Sequence, residues 1–367
     1  MGVDAVAITA AALLTPLGGE GGADESWRKL CAGERVGAAG GEARVDARVL
    51  AGTPDYLDKS IRMGIVVARR ALDESESESD AGNRNACGVF AGTSKGPVYT
   101  MLAGLDQVRC GVAMDERIAE QVMLGAGAMG VYVARELGLK GGVHTSVAAC
   151  SSGMHALHRA MQAVRGGKCE RAVVVAADAS LHELFEGSFS RLGVLAPKEA
   201  DGVRRCEPFG KAGRGFFLSE AAAAVVLERA PKREPVVWLE DLRIGGDGTH
   251  MVAIDEETKT LRGILRSVVG VDIAQVAFVH AHATGTGHDR HELAAIRSML
   301  PARAVFSTKG QLGHSLGAAG LVSLVISALA HKGGRMPDGR VVERGRQSVT
   351  IAQGFGGHVA VARLCGL

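Results

Sequence analysis

One cysteine near the middle of the chain stands in a context that favours reactivity. Cys150 follows a short apolar strand pattern at residues 143–147 and a turn of small residues, and a helix pattern begins close to it. A thiol at a helix N-terminus lies beside unpaired backbone N–H groups and the positive end of the helix dipole. Both features favour a thiolate, so we expect Cys150 to ionise more readily than a free cysteine and to attack acyl groups.

Two later segments carry imidazole and ammonium groups in comparable positions. His282 follows the apolar run 276–279 in a polar, glycine-containing loop. Lys309 and His314 follow the run 304–306 and precede a helix pattern rich in small residues. Reactive groups collect in loops at strand ends. The sequence therefore places a thiol and two imidazoles at three corresponding strand ends.

At these residues the chain resembles the beta-ketoacyl-ACP synthases, the condensing enzymes of the thiolase superfamily. Four segments carry the resemblance, and their order and approximate separations match across most of the chain. They are residues 149–153 around the cysteine, 282–286 around the first histidine, 307–320 with the lysine and second histidine, and the glycine-rich loop 354–358. Any one segment would be weak evidence, whereas four in register are strong.

The resemblance implies an α/β protein with the thiolase fold, in which two related halves form a five-layered αβαβα sandwich. The composition agrees, since 367 residues that are 47% hydrophobic can bury a large core. A polar, proline-bounded connector separates the halves. We expect an N-terminal half at residues 1–230 that carries the nucleophile. A C-terminal half at residues 231–367 then carries the histidines, the lysine and the glycine-rich gating loop.

For the nucleophile, the resemblance implies that Cys150 holds an acyl chain as a thioester. The backbone N–H groups of Cys150 and Phe355 would form the oxyanion hole, and Phe355 and Gly356 belong to the gating loop. Donors fixed at a developing oxyanion are worth about 2.7–4 kcal/mol each. We expect the Phe355 ring to control access to the acyl pocket.

For the second half of the reaction, His282 and His314 would bind the thioester carbonyl of a malonyl group and stabilise the enolate left when carbon dioxide departs. Neutral imidazoles suit this task because each can donate a hydrogen bond without a permanent charge. Lys309 would order the histidines and their loop. Thr284 and Thr286, again by resemblance, would contact a phosphopantetheine arm.

The expected reaction is the decarboxylative Claisen condensation of an acyl chain with malonyl-ACP, giving a 3-oxoacyl-ACP in fatty-acid or specialised polyketide-type biosynthesis. No cofactor is expected, because the phosphopantetheine arrives on the acyl carrier protein, which is the expected partner. We also expect a homodimer or, alternatively, a heterodimer with another ketosynthase-like chain.

Charge and cysteine usage exclude several classes of function. The net charge is +2, from 42 basic and 40 acidic residues, so wholesale nucleic-acid binding is not expected. Seven scattered cysteines without a CxxC pair indicate free thiols in a reducing compartment. Uncharged apolar runs stop short of the roughly 18–20 residues that span a bilayer. We expect a cytoplasmic protein, with a solvated loop at the acidic, serine-rich residues 73–80.

Two alternatives remain open. The first is a zinc-dependent hydrolase, because a dense group of residues between His280 and Glu292 could ligate a metal: His280, His282, His288, Asp289, His291 and Glu292. The second is a ketosynthase-like partner subunit that shapes the pocket of another chain, although such partners typically lack the reactive cysteine. A thiolase proper would place a second cysteine in the C-terminal glycine-rich loop, where this chain has His358.

Several positions depart from the family pattern. Gly210, Gly213 and Arg214 stand where the family usually has Asp, Arg and Asp. Ser323 stands where a glutamate usually pairs with the lysine that corresponds to Lys309. These changes spare the nucleophile and both histidines. They favour a specialised condensing enzyme, or one member of a heteromeric pair, over ordinary fatty-acid elongation.

Overall fold

The protein was analysed as a computed structural model, which describes residues 5–37, 43–76, 83–270, 273–301 and 303–367. The predicted loop at residues 73–80 is wrong for residues 73–75, which continue a helix that ends at Ser75, and residues 77–80 lie outside the described ranges. The described residues form ten strands, β1 Val6–Leu14, β2 Cys87–Gly92, β3 Val143–Ser146, β4 Arg171–Asp178, β5 Ala221–Glu228, β6 Val237–Gly246, β7 Val276–His280, β8 Ala304–Phe306, β9 Gln347–Gly354 and β10 His358–Cys365.

They also form eleven α-helices, α1 Gly22–Cys31, α2 Lys59–Ser75, α3 Val98–Arg109, α4 Glu116–Leu124, α5 Ala128–Leu137, α6 Ser152–Arg165, α7 Glu183–Arg191, α8 Lys259–Val269, α9 Asp289–Met299, α10 Lys309–Leu312 and α11 Ala319–Lys332. None of the helices in the described ranges is long and apolar enough to cross a bilayer. The seven cysteines are all free thiols. The cytoplasmic location stays a prediction.

The ten strands are hydrogen-bonded in the order β3-β2-β4-β5-β1-β6-β10-β9-β7-β8. In the first half, β2 pairs in parallel with β3 and β4, whereas β5 runs antiparallel to β4 and β1. In the second half, β7 pairs in parallel with β8 and β9, and β10 runs antiparallel to β9 and β6. The second half therefore repeats the topology of the first in reverse order, which confirms the prediction of two related α/β halves.

The halves join where β1 meets β6 through three antiparallel residue pairs. This short ladder makes the strands one continuous sheet, although the resemblance implied two separate sheets. The predicted boundary at residue 230 falls in the connector between β5 and β6. Helices α2 and α5 pack on the outer face of the first half, and α8 and α9 cover that of the second.

Helices α6 and α11 form the middle layer between the two halves. Residues 319–330 of α11 are buried on every face, as expected for an apolar helix enclosed by sheet on both sides. The two helices approach closely at Gly153, where an added Cβ would lie 2.9 Å from the Cβ of Leu321. The layers therefore follow the predicted αβαβα order. The segments that follow β3, β7 and β8 carry Cys150, His282 and Lys309 in turn.

Candidate active site

Cys150 sits at a sharp turn between β3 and α6. Ala149 holds a left-handed backbone angle of φ +46°, which is uncommon for a residue with a side chain. Ser152 fixes the turn, since its hydroxyl donates to Ala149 O at 2.7 Å and accepts from Ala148 N–H at 2.9 Å. The predicted strand, turn and helix are confirmed. The thiol itself is buried, with 8% of the residue exposed.

The expectation of an easily ionised thiol is wrong for this structure. Burial raises the pKa of the Cys150 thiol to about 12, and the positive charges of Lys309 and Lys95 offset only part of that rise. A thiolate in a site closed to water loses its hydration, and this cost exceeds what the nearby cations return. The resting site therefore holds a neutral thiol.

His314 is the direct partner of the nucleophile. Its Nε2 lies 3.1 Å from Sγ of Cys150. The backbone N–H of His314 donates to Phe217 O at 2.9 Å, and the edge of the imidazole meets the ring of Phe216 at 4.8 Å between centroids. Burial, reinforced by the charge of Lys309, lowers the pKa of His314 well below its usual range. A neutral imidazole is therefore held at the thiol, ready to exchange a proton with it.

His282 lies beside His314 in the same group. The two ring centroids lie 5.6 Å apart, at an interplanar angle of 80°. Burial and then the charge of Lys309 lower the pKa of His282 well below its usual range, so both imidazoles are neutral at neutral pH. The structure thus brings the three predicted residues into one buried group.

The loop that carries His282 is held from beneath by Glu292. One carboxylate oxygen of Glu292 accepts from the N–H of His282, and the other accepts from the N–H of Ala283, both at 2.8 Å. Lys309 Nζ donates to the carbonyl oxygen of His282. The position of the imidazole is therefore fixed through its backbone, which matches the ordering role expected of Lys309.

Position 323 holds a serine in place of the family's glutamate, and Glu292 is the acidic residue that acts on Lys309 instead. Burial lowers the pKa of Lys309, and Glu292 is the charged group that most strongly opposes this effect. Burial in turn raises the pKa of Glu292 to about 7. Ser323 accepts a hydrogen bond at its backbone carbonyl from the Ser327 hydroxyl within α11. Among the acidic groups near Lys309, Glu292 on α9 therefore has the largest effect on its pKa.

Asp289 holds the next part of the same loop. Its carboxylate accepts three backbone hydrogen bonds at 2.9 Å, from Thr284, Gly285 and Phe209. Glu292 and Asp289, the two carboxylates of the predicted metal-ligand group, therefore both accept hydrogen bonds from backbone N–H groups.

The remaining predicted metal ligands are histidines that lie apart from one another or contact other groups. His280 is buried, with one ring nitrogen 3.3 Å from the Ser327 hydroxyl and the other 3.2 Å from the Thr308 hydroxyl. The rings of His288 and His291 are stacked 6.0 Å apart. In the described ranges, no three His, Cys, Asp or Glu side chains converge to hold a metal ion. The geometry provides no ligand set for the zinc alternative.

The glycine-rich loop closes the site between β9 and β10. Cys150 and the half-buried Phe355 belong to one apolar cluster, and the Phe355 ring lies 6.2 Å from that of Phe189. An added Cβ at Gly354 would lie 3.0 Å from Cys150 N, so a glycine here keeps that N–H accessible. The N–H of Gly356 donates to Met251 O at 2.9 Å, which ties the loop to the segment after β6.

A cavity of about 360 Å³ opens from these residues to the surface. It is lined by Cys150, His282, His314 and Phe355 at its inner end. Thr284 and Thr286, whose hydroxyl oxygens lie 3.1 Å apart, line it as well. The cavity joins the predicted nucleophile, histidines, threonines and gate.

The departures at positions 210–214 lie against the histidine loop. Gly213 has φ +54°, and an added Cβ would lie 2.9 Å from Gly287 N, so a side chain is excluded there. The next glycine, Gly215, donates its N–H to Gly285 O at 2.7 Å. Arg214 instead faces outward, 3.3 Å from a carboxylate oxygen of Glu199. At Gly210 an added Cβ would lie 2.9 Å from the backbone oxygen of Glu207, so a side chain is excluded there as well.

Sequence reasoning missed Asp178, which ties the two halves together at the site. Its buried carboxylate accepts from the Thr93 hydroxyl at 3.0 Å, from Ser94 N–H at 3.1 Å and from Gly317 N–H at 2.6 Å. Desolvation by burial raises its pKa. The signal available in the sequence was an isolated acidic residue that ends the apolar run of β4.

Two related α/β halves that enclose a cysteine and two histidines define a thiolase-like protein. Sequence models of the beta-ketoacyl synthase N-terminal and C-terminal domains match residues 3–233 and 239–342. The chain therefore belongs to the beta-ketoacyl synthase family.

Individual relatives are moderately similar in sequence. A 3-oxoacyl-[acyl-carrier-protein] synthase 2 of Mycobacterium leprae is 30% identical over 73% of this chain, and the match covers 66% of that protein. A granaticin polyketide putative beta-ketoacyl synthase 1 of Streptomyces violaceoruber is 28% identical over 75% of this chain and 70% of its own length. Among solved structures, the ishigamide ketosynthase/chain length factor superposes with a TM-score of 0.83 at 25% identity, covering 99% of each chain.

Proposed function

We propose that this protein joins an acyl group, held on Cys150, to a malonyl group by decarboxylative Claisen condensation. The observation that carries the proposal is the contact of 3.1 Å between Cys150 Sγ and His314 Nε2, with His282 beside it in the same cavity. The relatives, which include a fatty-acid-type and a polyketide-type synthase by name, support this reaction class.

In the first half-reaction, Sγ of Cys150 attacks the carbonyl carbon of an acyl thioester while the thiol proton passes to His314 Nε2. The oxyanion forms against the backbone N–H groups of Cys150 and Phe355. When the carbonyl reforms, the bond to the carrier sulfur breaks, and that sulfur takes up the proton from His314. Cys150 is left acylated, and both imidazoles are neutral again.

In the second half-reaction, a malonyl thioester occupies the space that the first carrier has left. Its thioester oxygen accepts hydrogen bonds from His282 and His314, and the bond between the malonyl methylene and its carboxylate breaks. Carbon dioxide departs and the bonding electron pair forms an enolate. The enolate carbon attacks the acyl carbonyl on Cys150, and a carbon–carbon bond forms. When the carbonyl reforms, the bond to Sγ breaks, and the Cys150 thiolate takes up a proton from water, because its original proton left with the first carrier.

The proposed carrier is an acyl carrier protein whose phosphopantetheine arm enters the cavity past Thr284 and Thr286. Two features support this assignment. Their hydroxyls lie along the cavity and can bond the amides of the arm. Arg290 is exposed and lines the same cavity, where its charge can meet a phosphate. No cofactor of the protein's own is proposed.

We further propose that a second chain covers β3, as a homodimer or as a heterodimer with another ketosynthase-like chain. Among the residues that the structure describes, strand β3 pairs on one side only, with β2, which leaves its other edge open there. Three valines line this edge or the neighbouring helix and are at least 38% exposed: Val131, Val143 and Val147. The similarity to a ketosynthase/chain length factor supports the heterodimer.

The proposed function is tested by incubating the protein with acyl-carrier and malonyl-carrier proteins and measuring carbon dioxide and 3-oxoacyl-carrier. We expect both products, and we expect Cys150→Ala to abolish the 3-oxoacyl product. His282→Ala should block decarboxylation but leave acyl transfer to Cys150, since His314 is the imidazole that contacts the thiol at 3.1 Å. His314→Ala should slow both steps. An unmodified protein that forms neither product, but supports another chain that does, would assign it to the partner-subunit class.

A further inference from the structure

His280 is a buried titratable residue that the mechanism above does not use. It ends β7, two residues before His282, and is fully buried. Its imidazole stacks on the ring of Phe306, with 4.3 Å between the centroids. Burial, with a smaller contribution from the charge of Lys309, lowers the pKa of His280 to about 3, so the ring is neutral at neutral pH. A neutral imidazole carries one donor and one acceptor, and both need partners inside the protein.

The hydrogen bonds around His280 define which ring nitrogen carries the proton. The hydroxyl of Ser327 on α11 donates to Ser323 O at 2.9 Å, so its oxygen is left to accept from Nδ1–H of His280 at 3.3 Å. The other ring nitrogen, Nε2, is therefore unprotonated. It accepts from the Thr308 hydroxyl at 3.2 Å. His280 thus joins α11 to the residue that comes just before Lys309.

Thr308 sets the direction from which Lys309 reaches the histidine loop. Thr308 immediately precedes the short helix α10, whose first residue is Lys309. In the described part of the chain, the Thr308 hydroxyl has His280 as its hydrogen-bond partner and no other. Lys309 Nζ in turn donates to the carbonyl oxygen of His282. A chain of polar contacts therefore runs from the imidazole of His280 to the backbone of His282.

His314 is anchored separately from this chain of contacts. Its N–H donates to Phe217 O at 2.9 Å, and its carbonyl oxygen accepts from Ser219 N–H at 3.1 Å. These bonds fix the backbone of His314 on the segment before β5. A shift of Lys309 would therefore act on His282 more than on His314.

We propose that His280 is a positioning residue for decarboxylation, which acts through the Thr308 hydroxyl on the placement of Lys309. Lys309 in turn fixes the carbonyl of His282. This inference rests on the proposed function and assigns His280 to one of its two half-reactions. His280 touches no substrate and exchanges no proton, so the bonds made and broken are unchanged. The competing role is packing in the core, which would affect both half-reactions alike.

The test removes one ring nitrogen at a time. In His280→Gln the side-chain amide can take the place of Nε2 and accept from Thr308. In His280→Asn the shorter amide can take only the place of Nδ1, beside Ser327. Each variant is incubated with an acyl-carrier protein, and transfer to Cys150 is followed by intact mass. Malonyl-carrier is then added, and the release of carbon dioxide is timed over a single turnover.

We expect His280→Asn to slow carbon dioxide release by about tenfold or more and to change acyl transfer by less than about twofold, since catalysis is sensitive to small displacements of a positioned group. His280→Gln should retain most of the rate of decarboxylation. Thr308→Val removes the hydroxyl and keeps the shape of the side chain, so it should match His280→Asn. The double variant should be no slower than either single one, because both changes break the same contact.

The matched control is His331→Asn. His331 is a half-buried histidine in the last turn of α11, with its Nε2 2.9 Å from the Ser348 hydroxyl on β9. Its ring packs 5.4 Å from that of Phe278 on β7, so it contacts the same two strands as the group around His280. We expect His331→Asn to lower the melting temperature and to leave both half-reactions unchanged.

Equal slowing of both half-reactions by His280→Asn would overturn the proposal in favour of core packing. Equal rates of decarboxylation in His280→Asn and His280→Gln would also overturn it. Thr308→Val carries the same test if the His280 variants do not fold, and an unchanged rate of decarboxylation in that variant would count against the proposal. Failure of the proposed function would look different, because the unmodified protein would then release no carbon dioxide from malonyl-carrier.

Discussion

Two opposing effects act on the ionisation of the Cys150 thiol. The start of a helix and two lysines favour the thiolate, whereas loss of water favours the neutral thiol, and burial has the larger effect in this structure. Chemistry at this residue therefore depends on proton transfer to His314 during attack, instead of on a standing thiolate. Because the pKa of Cys150 is raised, the fraction of the residue present as the reactive thiolate keeps increasing as the pH rises.

We accordingly predict that alkylation of Cys150 by iodoacetamide accelerates with pH and shows no plateau up to about pH 9, since the pKa is raised to about 12. The measurement is the rate of mass gain on the peptide that contains Cys150. Alkylation of Cys110, which is exposed, provides an internal control for the reagent. A plateau for Cys150 near neutral pH would show that the helix N-terminus outweighs burial.

The sequence predicted which residues form the site better than it predicted the surroundings of each residue. The cysteine, both histidines and the lysine were predicted from motifs, and the structure places them together. The direction of the Cys150 pKa shift was not predictable, because burial arises from the aromatic cluster contributed by α7 and the segment before β5.

At the scale of elements, the loop after β7 depends on two carboxylates from α9. Asp289 alone satisfies three backbone N–H groups, which would otherwise be buried without partners. The loop positions His282 and the two threonines, so its order decides both catalysis and binding of the arm.

We predict that Asp289→Ala lowers the free energy of unfolding by about 3 kcal/mol or more, because each unsatisfied buried N–H costs about 1–3 kcal/mol. Urea denaturation followed by circular dichroism measures the loss. Asp106→Ala, which changes an exposed aspartate on α3, should stay within about 0.5 kcal/mol of the unmodified protein. An equally small effect at Asp289 would mean that the loop has another support.

The glycine-rich loop leads to a prediction about selectivity. Phe355→Ala should broaden the range of acyl chain lengths that Cys150 accepts and leave malonyl decarboxylation within a few-fold, because the ring guards the cavity and the backbone supplies the hydrogen bond. Gly356→Val should slow acylation by every chain, since φ is +81° at this residue. Acyl transfer from short and long acyl carriers measures both effects. Unchanged selectivity in Phe355→Ala would remove the gating role.

The strands and helices next to the site were predictable from apolar runs that end at polar loops, and β3, β7 and β8 all occur where expected. The roles of Asp289 and Glu292 were harder to predict from the sequence. In sequence they stand among histidines and suggested metal ligands, whereas in the structure their oxygens bind backbone N–H groups. Composition alone does not distinguish these uses of a carboxylate.

For the whole molecule, the open edge of β3 leads to a prediction about assembly. A charged side chain in an apolar interface is costly to bury. We predict that Val143→Lys together with Val131→Glu shifts the protein from dimer towards monomer in light scattering coupled to size exclusion. Val341→Lys, at an exposed site elsewhere, should leave the mass unchanged. A monomer before any substitution, with or without a ketosynthase-like partner chain, would contradict the assignment of this edge.

The overall architecture followed from the resemblance, since composition and periodicity indicate only an α/β protein. The joining of the sheet halves through the β1–β6 ladder could not be foreseen, because it depends on how closely two strands approach in space. Asp178 is likewise visible only when the ends of β2, β4 and the start of α11 are seen together.

The measurement that tests the central claim most directly is the location of the acyl intermediate. The protein is incubated with an acyl-carrier protein without malonyl-carrier, digested, and its peptides are analysed by mass spectrometry. We predict a single acyl group on the peptide that contains Cys150, which disappears when malonyl-carrier is added as the 3-oxoacyl product forms. An acyl group on another residue, or product formed without any acylated Cys150, would contradict this account.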